Sequence, residues 1–280
     1  MTKERENKKT KAAPDSGEAR PGVIALSRGL EILQCFTPTR PRLGSAEIAR
    51  LTGLPQPTVW RLCQTLVQQG FLLPTPGQRL QLGTAALSLG IAASASFNAL
   101  EIVRPRMQAL ADRYRSAISI AGHDRLYMVY LERCTAEVMV GTNLQRGSRL
   151  PLHKCTLGWA YLAVLDEKER SAILARLRKA FPEDAGTIDE LAISKLRQYQ
   201  RTGYVLHRGL VHREIIALAV PIPAPAGMQP LAINCSSDSA NLSARQLETE
   251  VEPQLREMAE ILRTMFVQED PPSVNGWFDR

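Results

Sequence analysis

Thr58, Arg61, Gln64 and Thr65 are all hydrogen-bond donors, and each lies three or four residues from another of the set. On a helix that spacing gathers them on one face. Val59, Leu62, Cys63, Leu66 and Val67 fall at i, i+3, i+4, i+7 and i+8 of the same segment and form an apolar stripe behind them. A helix with an apolar back and a row of donors in front has the chemistry to enter a DNA major groove. Arg61 can read a guanine edge or hold a phosphate. The exposed-face position of Trp60 offers a sugar-phosphate edge, a thymine methyl, or a bridge to a preceding helix. Arg79 is a phosphate or minor-groove donor, since its neighbours Leu80 and Leu82 alternate inward. Arg28 reaches a phosphate or stays solvated. With Ser45, Gln56 and Val59, these residues make the candidate DNA-contact set.

The surrounding sequence supplies the elements that must hold such a face. Ser45 is placed to cap a short helix whose first turn carries Glu47, and Gly53 ends that helix in the left-handed conformation. Pro55 and Pro57 open the donor-bearing helix, where a missing amide proton costs nothing. Phe-Leu-Leu, the loop Pro-Thr-Pro-Gly-Gln and Arg-Leu-Gln-Leu-Gly then read as a hairpin. Upstream, Leu26, Leu30, Leu33 and Phe36 form a helical stripe behind Ser27 as cap, with Pro38 and Pro41 ending it. The whole reads as a winged helix-turn-helix.

Other chemistry is weakly represented. His153, Cys155, His207, His212 and Cys235 hold potential metal ligands, but only His153-x-Cys155 is a close pair, so these read as isolated side chains. A Cys155/His153 nucleophile has no elbow or oxyanion loop. No phosphate-binding glycine loop or paired-acid motif stands out. The chain reads as a non-enzyme with no metal and no cofactor.

Charge points the same way. Of a net +7, residues 1–20 hold six basic and four acidic groups, and residues 21–83 hold six arginines against two glutamates. The remainder balances 23 basic against 22 acidic. The positive potential therefore sits on the winged-helix segment, as a polyanion partner requires. Five scattered cysteines fit reduced, buried thiols of a cytoplasmic protein. Residues 1–20 read as a disordered tail without a signal-peptide core. The uncharged runs 80–100 and 215–237 are too polar or too rich in proline to span a membrane.

The predicted order is a tail over 1–20, the winged helix over 21–83, a linker helix over 84–104, a second domain over 105–267 and a tail over 268–280. The Ala- and Ser-rich linker is a candidate dimerisation element, because symmetric sites are read by two-fold dimers. Pro105 is expected to open the next helix. Strands are predicted at SAISIAG, LYMVYLE, EVMVGTN, IIALAVPI and PLAINCS. Helices are predicted at 156–165, 167–180, 188–202 and 243–266, the last with Leu247, Val251, Leu255, Met258, Leu262 and Met265 inward. This is an α+β class domain with a mostly antiparallel sheet and flanking helices. Pockets form between such layers.

These ordered segments resemble the isocitrate-lyase-regulator (IclR) family of bacterial transcription factors over residues 24–266. SRGLEIL, IARLTGLPQPTVWRLCQTL, RLQLG, GSRLPLHKCTLGWAYLA, RTGYVL and IALAVPI carry the likeness. The resemblance implies a winged helix-turn-helix, a linker helix and a GAF-like sensor domain. It also implies a homodimer or dimer of dimers that binds a DNA operator and responds to a small-molecule effector, an organic or aromatic acid. Effector residues carried over by position are Thr156 and Leu157, then His207, Ile215 and Ala217, then Asn234 and Ser236. Two departures stand out. Gly158-Trp159-Ala160 replaces the family's Gly-Lys-Ala, and His207-Arg208 replaces an acidic pair, giving a more basic pocket edge that favours an anion. The rival readings are a constitutive DNA-binding dimer without effector, and an enzyme with a fused winged-helix module.

Overall fold

The structure, a computed structural model, describes residues 23–95, 99–137, 144–225 and 228–268. The predicted strand EVMVGTN, apart from Glu137, and most of both tails lie outside the described residues. The chain divides into two compact units, one up to Leu89 and one from Gly90.

In the first unit, helix α1 (Ile24–Gln34) precedes a two-residue strand β1 (Leu43–Gly44), then α2 (Ser45–Thr52) and α3 (Gln56–Gln68). Strands β2 (Leu72–Thr75) and β3 (Arg79–Leu82) pair antiparallel, and β1 adds to β3 as a third strand. Only Pro76, Gly77 and Gln78 turn the hairpin, with Gly77 and Gln78 both left-handed at φ 79° and 56°. Ile32, Cys35, Phe36, Leu43, Ile48, Val59, Cys63 and Leu72 form the core. The predicted stripe on α1 is displaced. The helix begins at Ile24, with no side-chain cap, so Ser27 is internal. Leu26 and Leu30 are 62% and 48% exposed, and the buried track runs Ile32, Cys35, Phe36 instead. The unit closes tightly behind the wing. A Cβ on Gly83 would sit 2.1 Å from the Gly70 carbonyl oxygen, so the end of β3 and the end of α3 meet backbone to backbone.

Helix α4 (Thr84–Ala95) follows. The next helix, α5 (Ala99–Tyr114), contains Pro105 rather than starting at it. Ala99, Leu100 and Val103 are buried in the second unit's core, so residues 99–104 belong to that unit and not to a linker.

The second unit is a six-stranded antiparallel sheet of order β6-β5-β4-β9-β8-β7. Its strands are β4 (Ala117–Asp124), β5 (Tyr127–Thr135), β6 (Arg149–Pro151), β7 (Val205–Arg208), β8 (Ile215–Ile222) and β9 (Leu231–Asp238). Strands β6 and β7 lie at the edges, too short to show as sequence patterns. Alternation sends Ile118, Ile120, Leu218, Val220, Ile233 and Cys235 to one face, where α5 and the terminal helix cover them. That terminal element comprises α9 (Ala244–Gln246), a π-helical turn at Leu247–Val251 and α10 (Glu252–Gln268). Ser243 caps it by accepting from the Gln246 amide. Leu247, Val251, Leu255, Met258 and Leu262 turn inward as expected, fully or almost fully buried.

The other face carries α6 (Thr156–Val164), α7 (Glu167–Ala180) and α8 (Ala185–Thr202). Helix α6 lies close against the turn before it. A Cβ on Gly158 would fall 2.0 Å from the Leu152 carbonyl oxygen. Trp159 follows, 1% exposed, with its Nε1 donating to the His153 carbonyl at 3.0 Å. A tryptophan is thus accommodated where the resemblance implied lysine, because its single donor is satisfied.

Replacing Gly158 by Ala forces backbone apart at a site with no flexible neighbour. The expected cost is about 1–3 kcal/mol. Thermal unfolding should show a lower melting temperature for the second unit, and an unchanged transition would contradict this packing.

Candidate functional site

Two groups of side chains carry the candidate chemistry, one in each unit. In the first, Glu47 organises the reading head. Its Oε2 accepts from the Gly44 amide at 2.8 Å and from Arg79 Nη2 at 3.1 Å. The cap of α2 is therefore Gly44 with Glu47 reaching back, and Ser45 is the first helical residue rather than the cap. Ser45 Oγ instead accepts from Gln56 Nε2 at 3.4 Å, across the turn. Gly53, left-handed at φ 70°, ends α2, and Pro55 precedes α3.

On α3, Gln56, Trp60, Arg61, Gln64 and Thr65 are exposed and Thr58 is half-buried. Val59 is fully buried in the core, so it cannot meet DNA and leaves the contact set. Thr65 Oγ1 donates to the Arg61 carbonyl at 3.3 Å. Trp60, 55% exposed, shares a groove of about 400 Å³ with Ser45, Gln64, Thr75, Gln78 and Arg79. It faces the wing. Arg79 is less available than the sequence implied, because its guanidinium also donates to the Arg42 carbonyl at 3.3 Å. Of the six arginines in 21–83, Arg79 is the one ion-paired among the described residues. Arg28, Arg40, Arg42, Arg50 and Arg61 are exposed.

In the second unit a cavity of about 30 Å³ lies between the sheet and the start of α6. Sheet register builds its floor. His207, Ala217 and Ser236 form one cross-strand row, and Arg133, Ser119 and Asn234 form the next. Thr156, His207, Ile215, Ala217, Asn234 and Ser236 line the cavity together. Leu157 does not; it is fully buried within the α6 core. Arg208 is exposed and does not line it either.

The basic edge expected at His207-Arg208 is therefore displaced. Burial, reinforced by the nearby charge of Lys195, holds the His207 imidazole below the usual histidine range. At neutral pH it is an uncharged hydrogen-bonding group. The permanent cation is Arg133, whose Nη1 donates to Ser119 Oγ at 2.8 Å and whose guanidinium lies 5.4 Å from the Tyr130 ring centroid. Neither Arg133 nor Tyr130 was in the predicted set. Around them, Cys155 is wholly buried and its thiol pushed up to about 12 by desolvation, so it is no nucleophile. Thr156 Oγ1 and Asn234 Oδ1 are buried with no hydrogen-bond partner. His153, by contrast, pairs with Asp184 at 3.0 Å and packs on Phe181, away from His207 and Cys235. No group of three or more His, Cys, Asp or Glu side chains able to hold a metal occurs among the described residues. The five cysteines are free and buried, and no helix among the described residues is long and apolar enough to cross a membrane.

A winged helix with an exposed donor face, followed by an antiparallel sheet covered by helices on both faces, defines a DNA-binding transcriptional regulator. The chain belongs to the IclR family. The family model for the IclR helix-turn-helix domain matches residues 25–76, and that for the bacterial transcriptional regulator IclR C-terminal domain matches residues 91–263. Among relatives, the HTH-type transcriptional regulator TsaQ1/TsaQ2 of Comamonas testosteroni is 29% identical, over 90% of this chain and 91% of that protein. The crystal structure of an IclR family transcriptional regulator from Brucella abortus is 38% identical with a TM-score of 0.79, covering 91% of this chain and 96% of its own. An IclR homologue from Microbacterium hydrocarbonoxydans, crystallised with 4-hydroxybenzoate, shares the fold at 23% identity and a TM-score of 0.66, covering 87% and 99%.

The lowered His207 sets a sign for pH dependence. A base held neutral in the folded state contributes stability above the unfolded pKa, near 6.5, and that stability is lost as pH falls through and below it. His207→Gln should therefore flatten the decline in melting temperature between pH 7 and pH 5. An unaltered slope would show that His207 titrates normally.

Proposed function

We propose that this chain is a sequence-specific, effector-controlled regulator whose operator affinity is set by a small organic acid bound in the Thr156–Asn234 cavity. The observation that carries the reading is the pair of buried, unpartnered oxygens, Thr156 Oγ1 and Asn234 Oδ1, facing that cavity beside Arg133. Buried polar atoms without partners are costly, and a ligand that pairs with them recovers the cost. The 4-hydroxybenzoate in the Microbacterium homologue supports an acid as the class. In the DNA-binding unit, Gln56, Thr58, Trp60, Arg61, Gln64 and Thr65 read bases and phosphates, while Arg28 and the wing flank the backbone. Arg79 contributes mainly by fixing the wing.

The active form is a homodimer or a dimer of dimers. Leu87, Leu89 and Ile91 on α4 are each at least 60% exposed, as are Val23, Ile24 and Leu26 on or just before α1. Exposed apolar side chains of this kind support a covering partner. The protein works in the cytoplasm, where its thiols stay reduced, and catalyses no reaction.

Full-length protein should bind DNA from its own upstream region at least about 10³-fold tighter than random duplex. Arg61→Ala should weaken the operator complex by about tenfold or more, and weaken random DNA much less. Equal loss on both would make Arg61 a phosphate contact. Equal wild-type affinity for all duplexes, falling steeply with salt, would refute sequence-specific regulation.

A further inference from the structure

We infer that the groove between α3 and the wing is a sugar-reading slot. One deoxyribose of the DNA strand that separates the major from the minor groove packs on Trp60, and Thr75 donates to the adjoining phosphate. This rests on the reading of α3 as the DNA-contacting helix, and it gives Trp60 a task different from that of its neighbours on the helix.

Three observations carry it. The first is position. A helix lying in the major groove and a wing reaching the next minor groove are divided by a single sugar-phosphate strand, which is the wall between the two grooves. The space between α3 and the wing is therefore where that strand passes. It measures about 400 Å³, within the roughly 300–1,000 Å³ of sites that enclose a ligand. Trp60 and Gln64 wall it on the helix side, and Pro74, Thr75, Gln78 and Leu80 on the wing side.

The second observation is charge. Arg79 is the one arginine or lysine in the lining among the described residues, and the lining holds no Asp or Glu. Its guanidinium is already engaged by Glu47 at 3.1 Å and by the Arg42 carbonyl at 3.3 Å. The other exposed arginines of this unit, Arg61 among them, lie outside the lining. The slot thus offers little to a phosphate charge and much to an apolar surface. The sugar is the uncharged part of a strand's backbone, and in DNA its C2′ is a methylene where ribose carries a hydroxyl. Trp60, 55% exposed, supplies an apolar face for that methylene to cover.

The third observation is an unmet polar group. Thr75 Oγ1 is buried with no hydrogen-bond partner. A change of χ1 rotamer exchanges its methyl and hydroxyl, so a phosphate beside the groove supplies the missing acceptor. Gln78 also keeps its side chain in the lining although its backbone is left-handed at φ 56°, where glycine would be less strained.

The test is binding of the full-length protein to duplex from its own upstream region, with ribonucleotides substituted one position at a time. Wild-type protein should lose at least severalfold in affinity at one or more positions, because a hydroxyl enters an apolar slot. Trp60→Ala should bind operator and random duplex about tenfold more weakly, by a similar factor on both, and should no longer register the ribose. Its salt dependence should match wild type, since no phosphate charge is lost. Trp60→Phe, which keeps an apolar ring, should restore most of the affinity. Thr75→Val removes a hydroxyl without a partner, so it should hold or raise the melting temperature while weakening DNA binding severalfold. A scan with no sensitive position, or sensitivity that survives in Trp60→Ala, would overturn the slot. So would a uracil-for-thymine penalty that disappears in Trp60→Ala, which would make Trp60 a base reader. Undiminished binding by Thr75→Val would overturn the phosphate contact. Protein that binds no duplex at all overturns the regulator reading and this inference together, whereas normal operator binding by Trp60→Ala overturns this inference alone.

Discussion

The C-terminal domain depends on one extra residue in β5. Pairing with β4 runs in step from Ala117 opposite Thr135 to Ile120 opposite Glu132, then shifts so that Ala121 opposes Tyr130. Leu131 is left between the two registers as a bulge. In an uninterrupted strand, residues three apart face opposite sides. The bulge instead turns both Tyr130 and Arg133 toward α6, one above the other, and sends the buried Glu132 to the other face beside Arg104 of α5. A single insertion thereby separates an acid from its neighbouring base across the sheet. One layer receives a stacked guanidinium in a cavity, and the other receives a carboxylate that pairs with arginines at 3.4 and 3.8 Å.

The DNA-binding unit uses a comparable economy. Glu47 closes the start of α2, holds Arg79 and so ties the wing to the helix-turn-helix. Because Arg79 also donates to the Arg42 carbonyl, three segments of chain converge on a pair that is only partly exposed. Its worth lies in geometry more than in energy, since a solvent-accessible ion pair contributes roughly 0–1 kcal/mol. The relative position of wing and recognition helix determines which groove contacts are simultaneous.

The legible parts of the sequence were those with long, regular periodicity. The α3 stripe, the α10 face and the uninterrupted apolar runs of β8 and β9 all left patterns that survive folding. What stayed hidden depended on local breaks in a period. Tyr130 and Arg133 could not be paired because the Leu131 bulge reverses the parity on which strand reading rests. Ser45 looked like a cap because of its side chain, yet the reach of Glu47 to the Gly44 amide made glycine sufficient one position earlier. Leu26 and Leu30 formed a stripe as regular as the buried one, and sequence alone does not say which of two apolar tracks on α1 meets the core. The carried-over Leu157 failed for a related reason: adjacent helical positions point about 100° apart, so if Thr156 faces the cavity, Leu157 faces α6's own core.

The backbone contact between Gly70 and Gly83 bears on how such proteins can be recombined. Because no side chain separates the end of α3 from the end of β3, the wing and the root of α4 form one indivisible block. A chimera that exchanges the DNA-reading head with a relative must therefore carry the head through this glycine and splice within or beyond α4. A junction placed between recognition helix and wing would graft two surfaces that fit only each other.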